Sequence, residues 1–423
     1  MSAIGGVYRA GSKDVTHSLL MEMAAQLEYR GPDSTGIWCS DDIGLVCCTL
    51  ATTQEAVDER QPTQGRSQQV VAVLDGRLDN RGELMNAIQQ AGGLLQENCS
   101  DSILLVLAYE TWGVDFLYRL SGDFAFALWD TRAQMVLCAV DPLGIRRLYY
   151  TLDEHAIFWA SEIRALLQIS SIPRILNHDH IADYLLDPLS IISMFDETST
   201  CYQNVRRIAP GTCVVFQDGS VTHRRYWDID PKRQTVYRNV KEYDENFIVL
   251  FNEAVRCRLR SQSGVAMELS GGLDSSAIAS IARGLCNENK DLFHLRLLAV
   301  SHVYSSTPSA DEIRYSSAVQ RQHNLLVKTI NSDDLWIMKN SFVNVPYHDE
   351  PDLDSLYYAM VRARCQVVHD AGIRVLLSGQ GGDHVVAGNG YYVGDLLRNL
   401  KLRHFLSELM SWSQATKQPL IQH

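Results

Sequence analysis

The spacing of apolar and polar positions changes near residue 230. Before it, apolar runs of strand length recur at 70–74, 125–129, 135–140, 156–160 and 212–216. Turn chemistry separates them: Asp75-Gly76, Ser121-Gly122-Asp123 and Asp218-Gly219. Residues 16–28 and 102–112 carry helical spacing, so sheets packed against helices are expected. Residues 228–238 turn to Asp, Pro, Lys, Arg and Gln and read as a linker. Beyond them helices at 242–260, 276–286, 311–323 and 356–370 alternate with strands at 265–269, 295–303, 325–330 and 374–377. Such alternation predicts a parallel α/β sheet with its ligand at the carboxyl ends of the strands. The chain therefore divides into residues 1–227, a linker at 228–240 and residues 241–423.

Composition narrows the setting. A chain of 423 residues with 46% hydrophobic and 21% charged positions has room for two or three domains with large cores. A formal charge of −12 argues against a broad nucleic-acid footprint. No apolar run approaches the roughly 20 residues that cross a bilayer, and no secretory signal opens the chain. The 10 cysteines lack Cys-x-x-Cys spacing, so free, mostly buried thiols in a cytoplasmic protein are expected.

Two strand ends carry chemistry. The strand at 265–269 runs into Ser270-Gly271-Gly272-Leu273-Asp274-Ser275-Ser276, ahead of a helix. Glycines let the backbone close on an anion, the turn and helix N–H groups face it, and Asp274 can hold Mg²⁺ beside phosphates. No Gly-Lys-Ser/Thr follows, so this is not the Walker loop. The strand at 374–377 likewise enters Ser378-Gly379-Gln380-Gly381-Gly382-Asp383. Asp383 can supply a second carboxylate to the metal or cap a following helix.

The first loop resembles that of ATP pyrophosphatases, and the pair resembles the synthetase domain of the asparagine synthetase family. The resemblance implies ATP and Mg²⁺ as cofactors, with Asp274 and Asp383 as metal ligands. It places pyrophosphate along Ser270, Gly271, Gly272, Leu273, Asp274 and Ser275, and the nucleoside along Leu269, Val300, Ser378 and Gly379. Asp311, Glu312, Asp349, Glu350 and Gln380 fall where the family lines its substrate pocket. For the acidic ones, solvated surface charge is an equal reading.

The first half resembles the family's glutaminase domain through Arg30-Gly31-Pro32-Asp33, Gly122-Asp123-Phe124-Ala125-Phe126-Ala127, Asp141-Pro142-Leu143-Gly144-Ile145-Arg146 and Ala160-Ser161-Glu162. The implied fold is an α+β domain, an αββα sandwich of the Ntn-hydrolase type, followed by an α/β ATP-pyrophosphatase domain of the adenine nucleotide α-hydrolase kind. The departures concern its chemistry. Ser2 stands where the family has its nucleophilic cysteine, and Asp75-Gly76-Arg77 replaces an Asn-Gly-Glu turn. The arginine expected near residues 50–53 is missing. Without nucleophile, amide reader and carboxylate clamp, no glutamine hydrolysis is expected.

An amine carried by the substrate then becomes the natural attacking group. The pattern is most like the macrolactam synthetases of lasso peptides, which implies adenylation of a peptide side-chain carboxylate and capture by its own N-terminal amine. It also implies a precursor peptide, a leader-peptide-binding protein and a leader peptidase as partners. The alternatives are an ammonia-dependent asparagine synthetase, a β-lactam synthetase-like cyclase and a non-catalytic scaffold. Gln380 cannot act as the base of the β-lactam enzymes. Glu408 is a candidate base with a competing reading as solvent-facing charge, and His384 is a modest one. The family's catalytic lysine, beyond the second aspartate, has no counterpart in context; only Lys401 and Lys417 follow Asp383.

Overall fold

The computed structural model describes residues 1–11, 15–96, 98–153, 156–186, 196–339, 347–351, 356–386 and 391–416. The first half builds two antiparallel sheets stacked face to face. One runs in the order Arg206–Arg207, Tyr149–Asp153, Ala156–Ala160, Ala3–Arg9, Ile43–Thr49, Ser34–Cys39. The other runs Ser220–Arg225, Thr212–Gln217, Met135–Val140, Gly122–Asp130, Val70–Leu78, Thr63–Gln64. Between them lies a core of Ile4, Tyr8, Leu45, Val71, Ala127, Trp129, Ile157 and Trp159. The helices His17–Leu27 and Ile163–Leu167 cover the outer face of the first sheet, and Arg81–Gln90 and Asp101–Trp112 cover that of the second. Each central strand is therefore buried on both faces. That is why 125–129 and 135–140 read as continuous apolar runs rather than alternating ones.

The strand Ala3–Arg9 runs through the middle of its sheet, flanked by Ile43–Thr49 and Ala156–Ala160. A Cβ on Gly6 would lie 2.3 Å from the Trp159 ring and 2.5 Å from the Gly44 carbonyl. Close packing of neighbours forces glycine there, and the same glycines weaken the strand pattern.

The second half is a four-stranded parallel sheet in the order Val327–Asn331, Leu297–Val303, Val265–Glu268, Val375–Leu377. Leu259, Met267, Ala279, Ala282 and Leu297 form the core on one face, under the helices Val240–Arg258 and Leu273–Glu288. Ala266, Leu298, Val300 and Val368 form it on the other, under Tyr358–Asp370. The helix Val240–Arg258 starts inside the stretch expected as linker, because Asn239 caps it by accepting from the Glu242 N–H at 3.1 Å.

Arginines of each half reach carboxylates of the other. Arg374 grips Asp33, Arg260 reaches Asp101, Arg258 meets Asp79 and Asp123, and Arg164 and Arg207 hold Asp349 and Glu350.

Candidate functional site

The strand Val265–Glu268 delivers Leu269 to the rim of the sheet, where its N–H donates to the Val300 carbonyl at 2.9 Å. The chain then turns sharply. Gly271 has φ +105°, and a Cβ there would lie 2.9 Å from the Glu312 carbonyl, so the turn requires glycine. The Ser270 hydroxyl accepts from the Gly272 N–H at 3.1 Å and lies 3.0 Å from the Ser275 hydroxyl. Ser275 in turn accepts from the Ser270 N–H at 3.2 Å. These short bonds fix the loop from within. Gly272 is the N-cap of the helix Leu273–Glu288 and offers no side chain to it. The first N–H groups of that helix are thus left for an anion.

The second loop closes against the first. A Cβ on Gly382 would lie 2.5 Å from Cγ and Oδ2 of Asp274, and one on Gly379 would lie 3.0 Å from Asp274 Cβ and from the Ser275 nitrogen. Asp383 follows directly, in the first turn of Gly382–Val386. Asp274 and Asp383 are in no ion pair among the described residues. Asp274 at a helix N-terminus, with the residue before Asp383 packed on its carboxylate, is a place where a divalent cation could be shared with phosphate oxygens.

Glu268 ties the two loops from below. Its Oε2 accepts from the Ser378 hydroxyl at 2.8 Å and its Oε1 pairs with Arg364. Ser378 also accepts from the Gln380 N–H at 3.1 Å, which sets the start of the second loop. His302, at the end of Leu297–Val303, bonds Ser332 Oγ through Nδ1 at 2.7 Å. Burial first, then the Arg364 charge, push its pKa down against the pull of Glu268, which favours the neutral imidazole. Glu268 and Arg364 carry this arrangement, yet no role was expected for either. The one visible signal is an acidic residue closing an apolar strand ahead of a glycine turn.

The remaining expected residues scatter. Glu312 backs Gly271. Asp311 is committed to its own loop, accepting from the N–H groups of Ile313 at 2.8 Å and Tyr304 at 3.3 Å. Asp349 and Glu350 lie against the amino-terminal half: Asp349 takes Arg164 Nε at 3.0 Å, and Glu350 takes Arg207 at 2.8 Å and the Tyr149 hydroxyl at 3.0 Å. Glu408 and Lys401 are exposed, on and just before the helix Leu402–Thr416. Lys417 lies outside the described residues.

In the first half, the residues at the expected glutamine positions make other bonds. Ser2 Oγ accepts from the Leu50 N–H at 3.0 Å. Asp75, fully buried, meets Arg30 at 2.7 Å, and Arg30 meets Glu162 at 2.6 Å. Gly76 has φ +144° and no room for a Cβ, which would fall 2.1 Å from the Asp123 carbonyl. Arg77 bonds Asp79 at 2.8 Å and donates to the Cys257 carbonyl of the helix Val240–Arg258. In the segment lacking the expected arginine, the Ala51 carbonyl accepts from Arg374 at 3.0 Å and Gln262 at 2.7 Å. Burial lowers the pKa of the Met1 amine to about 6, with Asp75 opposing. Beside these groups a cavity of about 450 Å³ separates the halves, lined by Arg30, Tyr149, Glu162, Arg164, Asp349 and Glu350.

Residues 1–227 match the glutamine amidotransferase domain family, and residues 247–422 match the asparagine synthase family. Over 408 residues the chain is 27% identical to amidase chyE of Penicillium rubens, which covers 92% of this chain and 58% of that protein. Over 421 residues it is 26% identical to a putative glutamine-hydrolysing asparagine synthetase 2 of Methanocaldococcus jannaschii, covering 95% and 78%. The chain spans little more than half the length of the fungal relatives, 58% for chyE and 55% for amidase chry2 of Gibberella zeae. A glutamine phosphoribosylpyrophosphate amidotransferase from Bacillus subtilis aligns with a TM-score of 0.39 at 14% identity, covering 89% and 90% of the two chains.

Proposed function

The chain belongs to the asparagine synthetase family, an amidotransferase-type domain ahead of an ATP-dependent amide-forming domain, and from that premise we propose that it joins a carboxylate to an amine carried by the same substrate. The carboxylate oxygen attacks the α-phosphorus of ATP and pyrophosphate leaves. The amine then attacks the acyl carbon, AMP leaves with the carboxylate's former oxygen, and the amine gives up a proton. The net result is an amide with loss of one water.

In this reading the loop Ser270 to Ser275 receives the pyrophosphate on its free N–H groups. Leu269, Val300, Ser378 and Gly379 lie along the nucleoside, and Gln380 lines the substrate side. Asp274 and Asp383 would hold Mg²⁺, which neutralises charge on the departing phosphates when bound. Glu268 positions Ser378 and Arg364.

The observation that carries the proposal is the fate of the glutamine positions. Asp75 is committed to an ion pair, and Arg77, Ala51 and Thr52 are committed to contacts with the second domain. An amine supplied by the substrate answers that loss. The substrate class it fits best is a precursor peptide whose side-chain carboxylate is closed onto its N-terminal amine, as in lasso peptides. A leader-peptide-binding protein and a leader peptidase would be partners.

The test is pyrophosphate release by the purified chain with candidate peptides, read beside mass spectrometry for loss of one water. AMP formation driven by aspartate plus ammonium, with none from peptides, would replace this reading with an ammonia-dependent asparagine synthetase.

A further inference from the structure

We propose that His180, Cys201 and Glu350 form a zinc site that pins the two domains together. One donor atom from each of the three side chains lies within 4.8 Å of the other two. No motif announces the cluster, because its members come from three distant segments. The fold brings them together through Asn177. Its N–H donates to the Cys201 carbonyl at 2.8 Å, its side-chain amide donates to the Thr200 carbonyl at 3.1 Å, and its Oδ1 accepts from the His180 N–H at 3.3 Å. One residue thus sets both the start of the helix His178–Leu186 and the strand-like segment carrying Cys201.

Glu350 arrives from the synthetase domain. Its side chain is only 10% exposed. Oε2 is held by Tyr149 at 3.0 Å and Arg207 at 2.8 Å, whereas Oε1 is buried without a hydrogen-bond partner among the described residues. A buried carboxylate oxygen with no donor is costly, and a cation beside it removes that cost. Cys201 is 6% exposed, so its thiol is shielded from casual oxidation.

The donor set selects the ion. Thiolate, imidazole and carboxylate together suit Zn²⁺, whereas Mg²⁺ and Ca²⁺ take oxygen donors. Around a tetrahedral Zn²⁺ the donors would sit roughly 3.5 Å apart, so small side-chain movements close the site. Binding releases the Cys201 proton to solvent and leaves the fourth position for water. Arg207 stays on the outer oxygen of Glu350 and orients the ligand. The ion would join two groups of the amino-terminal domain to one of the synthetase domain, beside the Arg164–Asp349 contact.

The experiment is a Co²⁺ titration of the reduced full chain, followed by zinc analysis after dialysis. A thiolate-to-cobalt charge-transfer band that saturates near one equivalent and is displaced by Zn²⁺ supports the site. Cobalt on Asp274 and Asp383 gives no such band, so the two locations are distinguishable. Cys201→Ser should abolish the band, and His180→Ala should weaken affinity at least about tenfold. No band in the unaltered chain under excess Co²⁺ overturns the proposal, and that reading needs no variant to fold. An undiminished band in folded Cys201→Ser overturns it as well.

Discussion

Gly382 is the residue on which the synthetase site most directly turns. Its α-carbon rests on the Asp274 carboxylate, and a methyl there would fall 2.5 Å from Oδ2. The clash is with the free end of a flexible side chain, so the fold can accept Gly382→Ala by swinging Asp274 aside. The expected outcome is ATP–pyrophosphate exchange lowered by roughly 10²-fold, with a melting midpoint close to that of the unaltered chain. Asp274→Ala sets the floor for comparison. Full exchange activity in either variant would rule out the proposed role of Asp274 as a metal ligand. The turn around Asp274 is legible in sequence because it is local: small residues, a carboxylate and a helix start are consecutive. Glu268 is not, since its meaning comes from Arg364 and Ser378, which only the parallel sheet brings beside it.

The strands and helices were legible wherever both faces of an element are buried or one helical face is apolar, as at Met135–Val140 and Leu273–Glu288. Ala3–Arg9 is not legible as a strand in the sequence because Gly5 and Gly6 interrupt its apolar run, though close packing against Met23 and Trp159 favours glycine at both. The chain Glu162–Arg30–Asp75 is an element-scale device of the same hidden kind. Glu162 follows a strand of the first sheet and Asp75 lies on a strand of the second, so Arg30 joins the two layers. Removing one partner of a buried pair costs about 3–5 kcal/mol. Arg30→Met should therefore lower the melting midpoint by roughly 10 °C. Arg30→Met with Asp75→Asn should recover part of that, because the fully buried Asp75 charge is no longer left alone, while Glu162, with its side chain 19% exposed, still loses its partner. A single variant that melts like the unaltered chain would show that the arginine joins nothing.

Across the whole molecule, the amidotransferase-type domain holds the synthetase domain through arginine–carboxylate contacts, none of them foreseeable from either half alone. Hydrogen bonding from Arg374 holds the Asp33 carboxyl below the ordinary aspartate range. A lowered acid pKa means that this contribution is complete above the ordinary range and is lost as pH falls through the lowered value. The pair is partly exposed, so it contributes under about 1 kcal/mol. Asp33→Asn should flatten the acid limb of the stability curve below about pH 4, as urea midpoints measured across pH would show. The same contacts bear on the source of the amine in the proposed reaction. Arg77 reaches the Cys257 carbonyl, and Ala51 receives Arg374 and Gln262. A glutamine would have to displace these bonds to find a carboxylate clamp, and Asp75, paired with Arg30, offers its amide no donor. Ser2 still has a hydroxyl beside a buried amine, so the question is open to direct measurement. With amide-¹⁵N glutamine, the purified chain should release glutamate no faster than a blank and pass no label to product. Glutamate release that disappears in Ser2→Ala would show that the serine acts as a nucleophile and that ammonia is made within the chain after all.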